Sequence, residues 1–319
     1  MINISKKTLQ DLEYHSVIEQ IAEHNVTSLG KTKILNTVPF SNRKDVNRSL
    51  HLTNEFVTSF ENENRIPNHG FEDITKELKL IKIENNYLDI NGFRKVASCC
   101  LTSNILIKFF KKNKDYYPLL NSLSSTNEVN TIIPNAINDV IDKHGEIRNN
   151  ASDLLYTTRK SIQSVRTKVN SSFNSALSTY NSAEYLDDIR ETVMENRRVL
   201  AVKSMHRRKV KGSILGSSKT GSIVYIEPET TYQHQRELNN LEFEETEEIK
   251  RILLELTSLI SAYSNHLSKC QFFLTEMDVI YAKAKYAKSI QAVLPEITEN
   301  QEIYLVDAYH PILLVSNKK

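Results

Sequence analysis

Apolar positions recur at helical spacing along most of this chain, in stripes of two lengths. Over the first 145 residues, Leu9, Leu12, Val17, Ile21, Ile34 and Leu35 recur at mixtures of three and four, with Gly30, Pro39, Gly70, Gly92 and Pro118 as the expected stops. That spacing predicts a set of short amphipathic helices. Beyond 145 the stripes lengthen: Ile147, Thr158, Val169 and Tyr180 stand eleven apart, with Ala151, Leu154, Ile162, Val165, Phe173 and Ala176 on the same face. Further on, Leu238, Ile249 and Ile260 are eleven apart, as are Leu241, Ile252 and Tyr263, and Glu245, Leu256 and Leu267. A repeat of this kind, at about 3.67 residues per turn, keeps one face of a nearly straight helix apolar over its whole length.

Between the two stripes the period falls to two. Arg198, Leu200 and Val202 alternate with Val199, Ala201 and Lys203, as in a strand, and Glu195-Asn196 supplies a tight turn after Thr192, Val193 and Met194. A second strand pair is expected from Ser213 to Leu215 and Ile223 to Ile226, joined through Gly216-Ser217-Ser218-Lys219-Thr220-Gly221. The predicted fold is mainly α. An antiparallel helix pair runs out along 146 to 186 and back along 229 to 267, each arm about 55 to 60 Å long at about 1.5 Å per residue. A small antiparallel β unit sits at its tip, and the polar stripe members Thr158 and Glu245 are read as tolerated within the stripe or water-facing near the arm's thinnest part.

Composition sharpens this picture. The 319 residues contain only 7 Gly and 7 Pro, with neither type between Gly145 and Gly212 or between Pro228 and Pro295. Charge is segregated: Arg197, Arg198, Lys203, Arg207, Arg208, Lys209, Lys211 and Lys219 fall within 196 to 226 with no Asp or Glu among them. The chain carries 41 Lys+Arg against 39 Asp+Glu, so without these 8 the balance is 33 against 39, a net of −6. Such a cluster attracts a polyanion even in a near-neutral chain. No Phe or Trp lies in the block to stack on bases, so contact with phosphates rather than base reading is expected.

Other chemistry is excluded by spacing. Lys219-Thr220 does not follow a Gly and leads into a strand, so the glycine loop is not a GxxxxGK[ST] phosphate loop. Glu242, Glu244, Glu245, Glu247 and Glu248 lack His or Asp partners at ligand spacing and read as a solvated face, with Glu247 and Arg251 as an i,i+4 pair. His51, His206 and His234 have no catalytic companion, and Cys99, Cys100 and Cys270 form neither a metal pattern nor a disulfide framework. No catalytic residue, metal site or cofactor site is expected. With neither a leader pattern nor a membrane-length apolar run, a cytoplasmic location is expected.

Several segments together resemble a known family. Leu12-Glu13-Tyr14, Ile21-Ala22-Glu23, Leu29-Gly30-Lys31 and Pro39-Phe40 open the resemblance, and Arg197 to Lys203, Thr220-Gly221-Ser222-Ile223-Val224-Tyr225-Ile226-Glu227-Pro228 and His310-Pro311 continue it. They are similar to the MutS-type DNA repair ATPases, specifically the bacterial branch called MutS-two. Two positions depart: Glu195-Asn196 stands where the family often has Asn-Gly, and Tyr309 where an Arg commonly precedes His-Pro.

The resemblance implies a helical core (1–145), an outgoing lever helix (146–186), a β clamp (187–228), a returning lever helix (229–267), core return helices (268–305) and the start of an ATPase domain (306–319). It further implies a non-enzymatic portion of an ATP-driven homodimer, with ATP and Mg held, and any nuclease action carried, by domains beyond this sequence. The clamp would grip DNA, branched or duplex, without mismatch specificity, in repair or in suppression of recombination. Two alternatives stand beside it: a ribosome-binding clamp that embraces the RNA or proteins of stalled or collided ribosomes, and a coiled-coil arm that binds protein.

Overall fold

The computed structural model describes residues 4 to 300 and 302 to 316. The last three positions of the 306–319 segment therefore lie outside the described residues. Helices dominate: α1 (Lys6–Asp11), α2 (Tyr14–Ala22), α3 (Ser28–Leu35), α4 (Arg43–Ser59), α5 (Thr75–Leu80), α6 (Ile90–Lys112), α7 (Pro118–Ser124), α8 (Ile132–Val140), α9 (Asp153–Ser182), α10 (Glu229–Ser261), α11 (Ser264–Ser289) and α12 (Pro311–Ser316). Four strands, β1 (Leu186–Met194), β2 (Arg197–Lys203), β3 (Gly212–Ser217) and β4 (Ile223–Pro228), form one antiparallel sheet. The fold is thus mainly α with a small antiparallel sheet, as expected. Among the described residues, no helix is long and apolar enough to cross a membrane.

The chain divides into two units, 147–252 and the remainder. In the larger unit α11 is central. Its buried residues, among them Leu267, Cys270, Phe273, Leu274, Met277 and Ile280, occur all round the helix, and it packs against α2, α3, α4, α5 and α6. A buried carboxylate holds this unit's segments together. Asp278 is fully buried and accepts from Val26 N (2.9 Å), Thr27 N (3.0 Å), Thr27 Oγ1 (2.6 Å) and His69 Nε2 (3.1 Å). Burial pushes its carboxyl upward, but His69, Thr27 and the two amides outweigh that and hold it below the usual carboxylate range.

Gly30 and Gly92, expected as stops, instead lie in the first turns of α3 and α6. Their N–H groups donate to the capping side chains Thr27 Oγ1 (3.0 Å) and Asp89 Oδ1 (2.7 Å). Gly30 is required by closeness rather than by chain reversal: a Cβ there would lie 2.7 Å from Asp278 Cγ and 2.8 Å from Asn25 Nδ2. The three cysteines are free and buried.

In the smaller unit, α9 and the first part of α10 run antiparallel. The pairing is fixed by Ser152 Oγ to Glu248 Oε1 (2.6 Å), Arg159 to Glu245 (2.7 Å), Arg166 to Glu242 (2.7 Å) and Ser172 Oγ to Thr230 O (2.8 Å). Ile162, Val165 and Leu238 form the dry seam. The eleven-residue stripes located this seam, but the bounds of both helices differ. Helix α9 begins at Asp153 because Ser152 caps it, accepting from Leu155 N at 3.0 Å, and its 30 residues span about 45 Å. Of the two readings open for the polar stripe members, tolerance within the stripe holds: Thr158 is buried, and Glu245 is paired with Arg159. Helix α10 ends at Ser261, before Tyr263, although Ile260 and Leu267 continue the buried stripe; a period count does not register a break that keeps phase.

The acidic run of α10 is likewise not wholly solvated. Glu248 is buried, and Arg251 binds it through Nε (2.8 Å) and Nη2 (2.7 Å), so Arg251 pairs with Glu248 where Glu247 was expected. Hydrogen bonds from Arg251 lower the Glu248 carboxyl to about 2 against the opposing effect of burial, with Ser152 assisting.

Candidate nucleic-acid interface

The sheet has the order β1-β2-β4-β3. Glu195 (φ 48°) and Asn196 (φ 61°) both adopt left-handed backbone, the geometry of a two-residue hairpin turn, and bring Met194 opposite Arg197. One face, formed by Leu186, Leu200, Val202, Val224 and Ile226, packs on Phe173 of α9, with Leu177, Tyr180 and Tyr185 at its margin. On the other face Val199 and Ala201 are also buried, so β2 is covered on both sides although its sequence alternates. Curling explains this. Register shifts interrupt both outer pairings, and Met194 on one edge strand reaches Gly216 on the other, its Cε 2.8 Å from where a Cβ would sit. Three strand spacings would separate those edges by about 14 Å in a flat sheet.

This geometry divides the basic block. Arg197 Nη1 bonds Glu227 Oε2 at 3.0 Å, and Glu227 is only 2% exposed. Arg198 bonds Glu191 (2.6 Å) and Asn170 (3.1 Å) and lies over the Phe173 ring at 4.2 Å. Both are committed within the unit. Lys203, half-buried, ends β2 roughly 20 Å away at about 3.3 Å per residue. Beyond it a 3-10 turn, Ser204–His206, leads into exposed Arg207, Arg208 and Lys209; Lys211 and Lys219 are also exposed. The β3–β4 connection carrying Lys219 is drawn to this end, since Ser204 N donates to Ser222 O (2.9 Å). None of these five exposed cations is held in an ion pair among the described residues. Acidic side chains border the same end: Asp187 and Asp188 follow Leu186, which pairs with Val202.

The glycine loop is closed on itself. Ser218 N donates to Ile223 O, Gly221 N to Ser218 O and Ile223 N to Ser218 Oγ, so these amides are not turned toward a phosphate. Gly30-Lys31-Thr32 offers no nucleotide cradle either: Asn25 stands where the leading glycine would be, and Asp278 occupies the amides of Val26 and Thr27. Among the described residues, no group of three or more His, Cys, Asp or Glu is placed to hold a metal ion.

The block alone concealed an aromatic ladder whose two tyrosines come from outside it. Tyr180 stacks on Tyr185 (6.5 Å, 29°), Tyr185 stacks on His206 (4.8 Å, 29°), and Lys209 Nζ lies 5.2 Å over Tyr185. In sequence, Tyr180 was visible only as a member of the α9 stripe. Exposed apolar side chains are also present on the sheet: Ile189 and Val193 on β1, Met205 in the turn and Ile214 on β3. They are distributed over two edge strands and a turn.

A helix pair carrying a curled antiparallel sheet, with cations left open at one end of that sheet, defines the class of site. The chain is similar over nearly its whole length to proteins named Endonuclease MutS2. That of Alkaliphilus oremlandii (strain OhILAs) is 28% identical over 317 residues, 99% of this chain and 40% of that protein. That of Geobacillus sp. (strain WCH70) is 29% identical over 310 residues, 96% of this chain and 39% of that protein. That of Clostridium perfringens (strain SM101 / Type A) is 29% identical over 318 residues, covering 97% and 39%. The chain spans about 40% of the length of these curated relatives. No protein-family model matches it.

Proposed function

We propose that this chain is the core, lever and clamp portion of a MutS-like DNA repair protein and that it grips nucleic-acid backbone, DNA in the first instance, without reading sequence. The unit 147–252 would supply lever and clamp, and the remainder the core. The observation that carries the reading is the contrast within one charged block: Arg197 and Arg198 are tied to Glu227 and Glu191, whereas Arg207, Arg208 and Lys209 project from an exposed turn and form no ion pair among the described residues. Such open cations suit phosphate oxygens, which orient a protein on nucleic acid without specifying sequence. Similarity to the MutS2 proteins supports the same reading. ATP hydrolysis, nuclease action and dimer formation are assigned to the longer protein that this part resembles.

The test is charge reversal at the open end. Arg207→Glu, Arg208→Glu and Lys209→Glu together should weaken four-way-junction binding about a hundredfold or more and flatten the salt slope, roughly −4 to −5 for four to six phosphates, by about 3. Unchanged affinity and slope would overturn the assignment. Cosedimentation with ribosomes at matched salt distinguishes DNA from ribosomal RNA as the preferred polyanion.

A further inference from the structure

Beside the sheet, in the smaller unit, lies an open groove of about 540 Å³ whose walls include Lys168, Ser171, Ser175, Thr179, Tyr180 and Lys211. We infer that this groove takes one unpaired nucleotide, its phosphate against Lys168 and Lys211 and its base against the Tyr180 ring. The inference rests on the nucleic-acid reading above and adds to it a preference for unpaired segments.

Three observations converge on it. The volume lies within the range of about 300 to 1,000 Å³ typical of small-ligand sites. Lys168 and Lys211 are exposed, and the only carboxylate in the lining is Glu229, so the groove is cationic and rich in hydroxyl groups. Tyr180 is held before any ligand arrives: its hydroxyl accepts from Lys211 N (3.3 Å) and its ring rests on the ladder through Tyr185 to His206. A platform fixed in advance binds a base without losing side-chain freedom. Base–aromatic stacking tolerates any sequence, consistent with a site that does not read bases. In a duplex both faces of each internal base are covered by neighbours, so an unpaired base is the partner that fits.

The experiment compares labelled oligothymidine and a duplex of equal length by fluorescence anisotropy on the full chain. Tyr180→Leu, which keeps an apolar contact with the sheet, should weaken oligothymidine binding about 5- to 100-fold, while Tyr180→Phe, which loses the bond from Lys211 N but keeps its ring on Tyr185, stays within about fivefold and well above the Leu variant, and the duplex is unaffected by either. Lys168→Ala, on an exposed helical face, should flatten the oligothymidine salt slope by roughly 0.7. Equal losses on both nucleic acids, or a Phe variant as weak as the Leu variant, would overturn the groove assignment. So would an unchanged slope in Lys168→Ala. Wild-type binding to duplex but not oligothymidine removes this inference and leaves the backbone grip standing; binding to neither removes both.

Discussion

The two ends of strand β2 carry the same residue types for opposite purposes. At its start, Arg197 and Arg198 are enclosed by Glu227, Glu191, Asn170 and the Phe173 ring. Past its end, Arg207, Arg208 and Lys209 meet no carboxylate within ion-pair distance among the described residues. A count of positive charges treats these groups alike; connectivity separates them. The first group is tied within its own unit, and the second remains available to a partner.

The sharpest way to break that comparison is to measure stability and binding on variants of each end. Arg197→Ala leaves Glu227 buried without its ion-pair partner, which should cost about 2 to 4 kcal/mol in urea unfolding. Its junction affinity should stay within about threefold, because a tied cation contributes little to counterion release. Charge reversal at 207 to 209 should do the converse, weakening binding while costing about 1 kcal/mol or less of stability, since only Lys209, over the Tyr185 ring, makes a contact that is lost. If Arg197→Ala weakened junction binding as much as the triple reversal, the division of the block would be wrong.

A carboxylate on the helix pair extends the comparison to pH. Glu248 titrates near 2 in the folded chain against an ordinary 4.5. Because the folded value is depressed, its stabilisation is complete above about 4.5 and is lost as pH falls toward 2. Between pH 7 and pH 3 the wild-type chain should therefore lose about 2 kcal/mol more than Glu248→Gln, measured by urea midpoints. Equal losses would show that Arg251 and Ser152 do not fix this charge. Junction binding at neutral pH should be the same in both proteins, since Glu248 is not among the sheet residues proposed to meet DNA.

The limits of sequence legibility follow from the same geometry. Local periodicity located the helix seam and the hairpins, because spacing of 11 and 2 is imposed by the backbone itself. It could not show that Thr158 is buried, that Glu248 replaces Glu247 as the partner of Arg251, or that Gly30 is required by the approach of Asp278, 248 positions away. Those facts depend on contacts between distant segments. The candidate site follows the same rule: the eight cations fell within one acid-free stretch of sequence and were easy to see, while Tyr180, Tyr185 and Lys168 lie outside the block and join it only through folding.

The smallest expected effect lies at the β1–β2 turn. Glu195 holds φ 48° and Asn196 φ 61°, and a turn with two left-handed residues suits Asn at its first position far better than Glu. Both residues bear the steric cost of a Cβ there, but the short Asn side chain offsets it by hydrogen-bonding locally, which the longer Glu side chain does not. Glu195→Asn should thus raise stability by about 0.5 to 1 kcal/mol. The exchange also removes a negative charge beside Arg197 and Arg198, so a simple charge count would predict tighter binding to any polyanion. If these arginines are committed internally, junction affinity should instead change by less than about threefold, and the salt slope should stay constant. A rise in slope would mean that the tied end reaches phosphate as well, and the contrast between the two ends of β2 would then have to be abandoned.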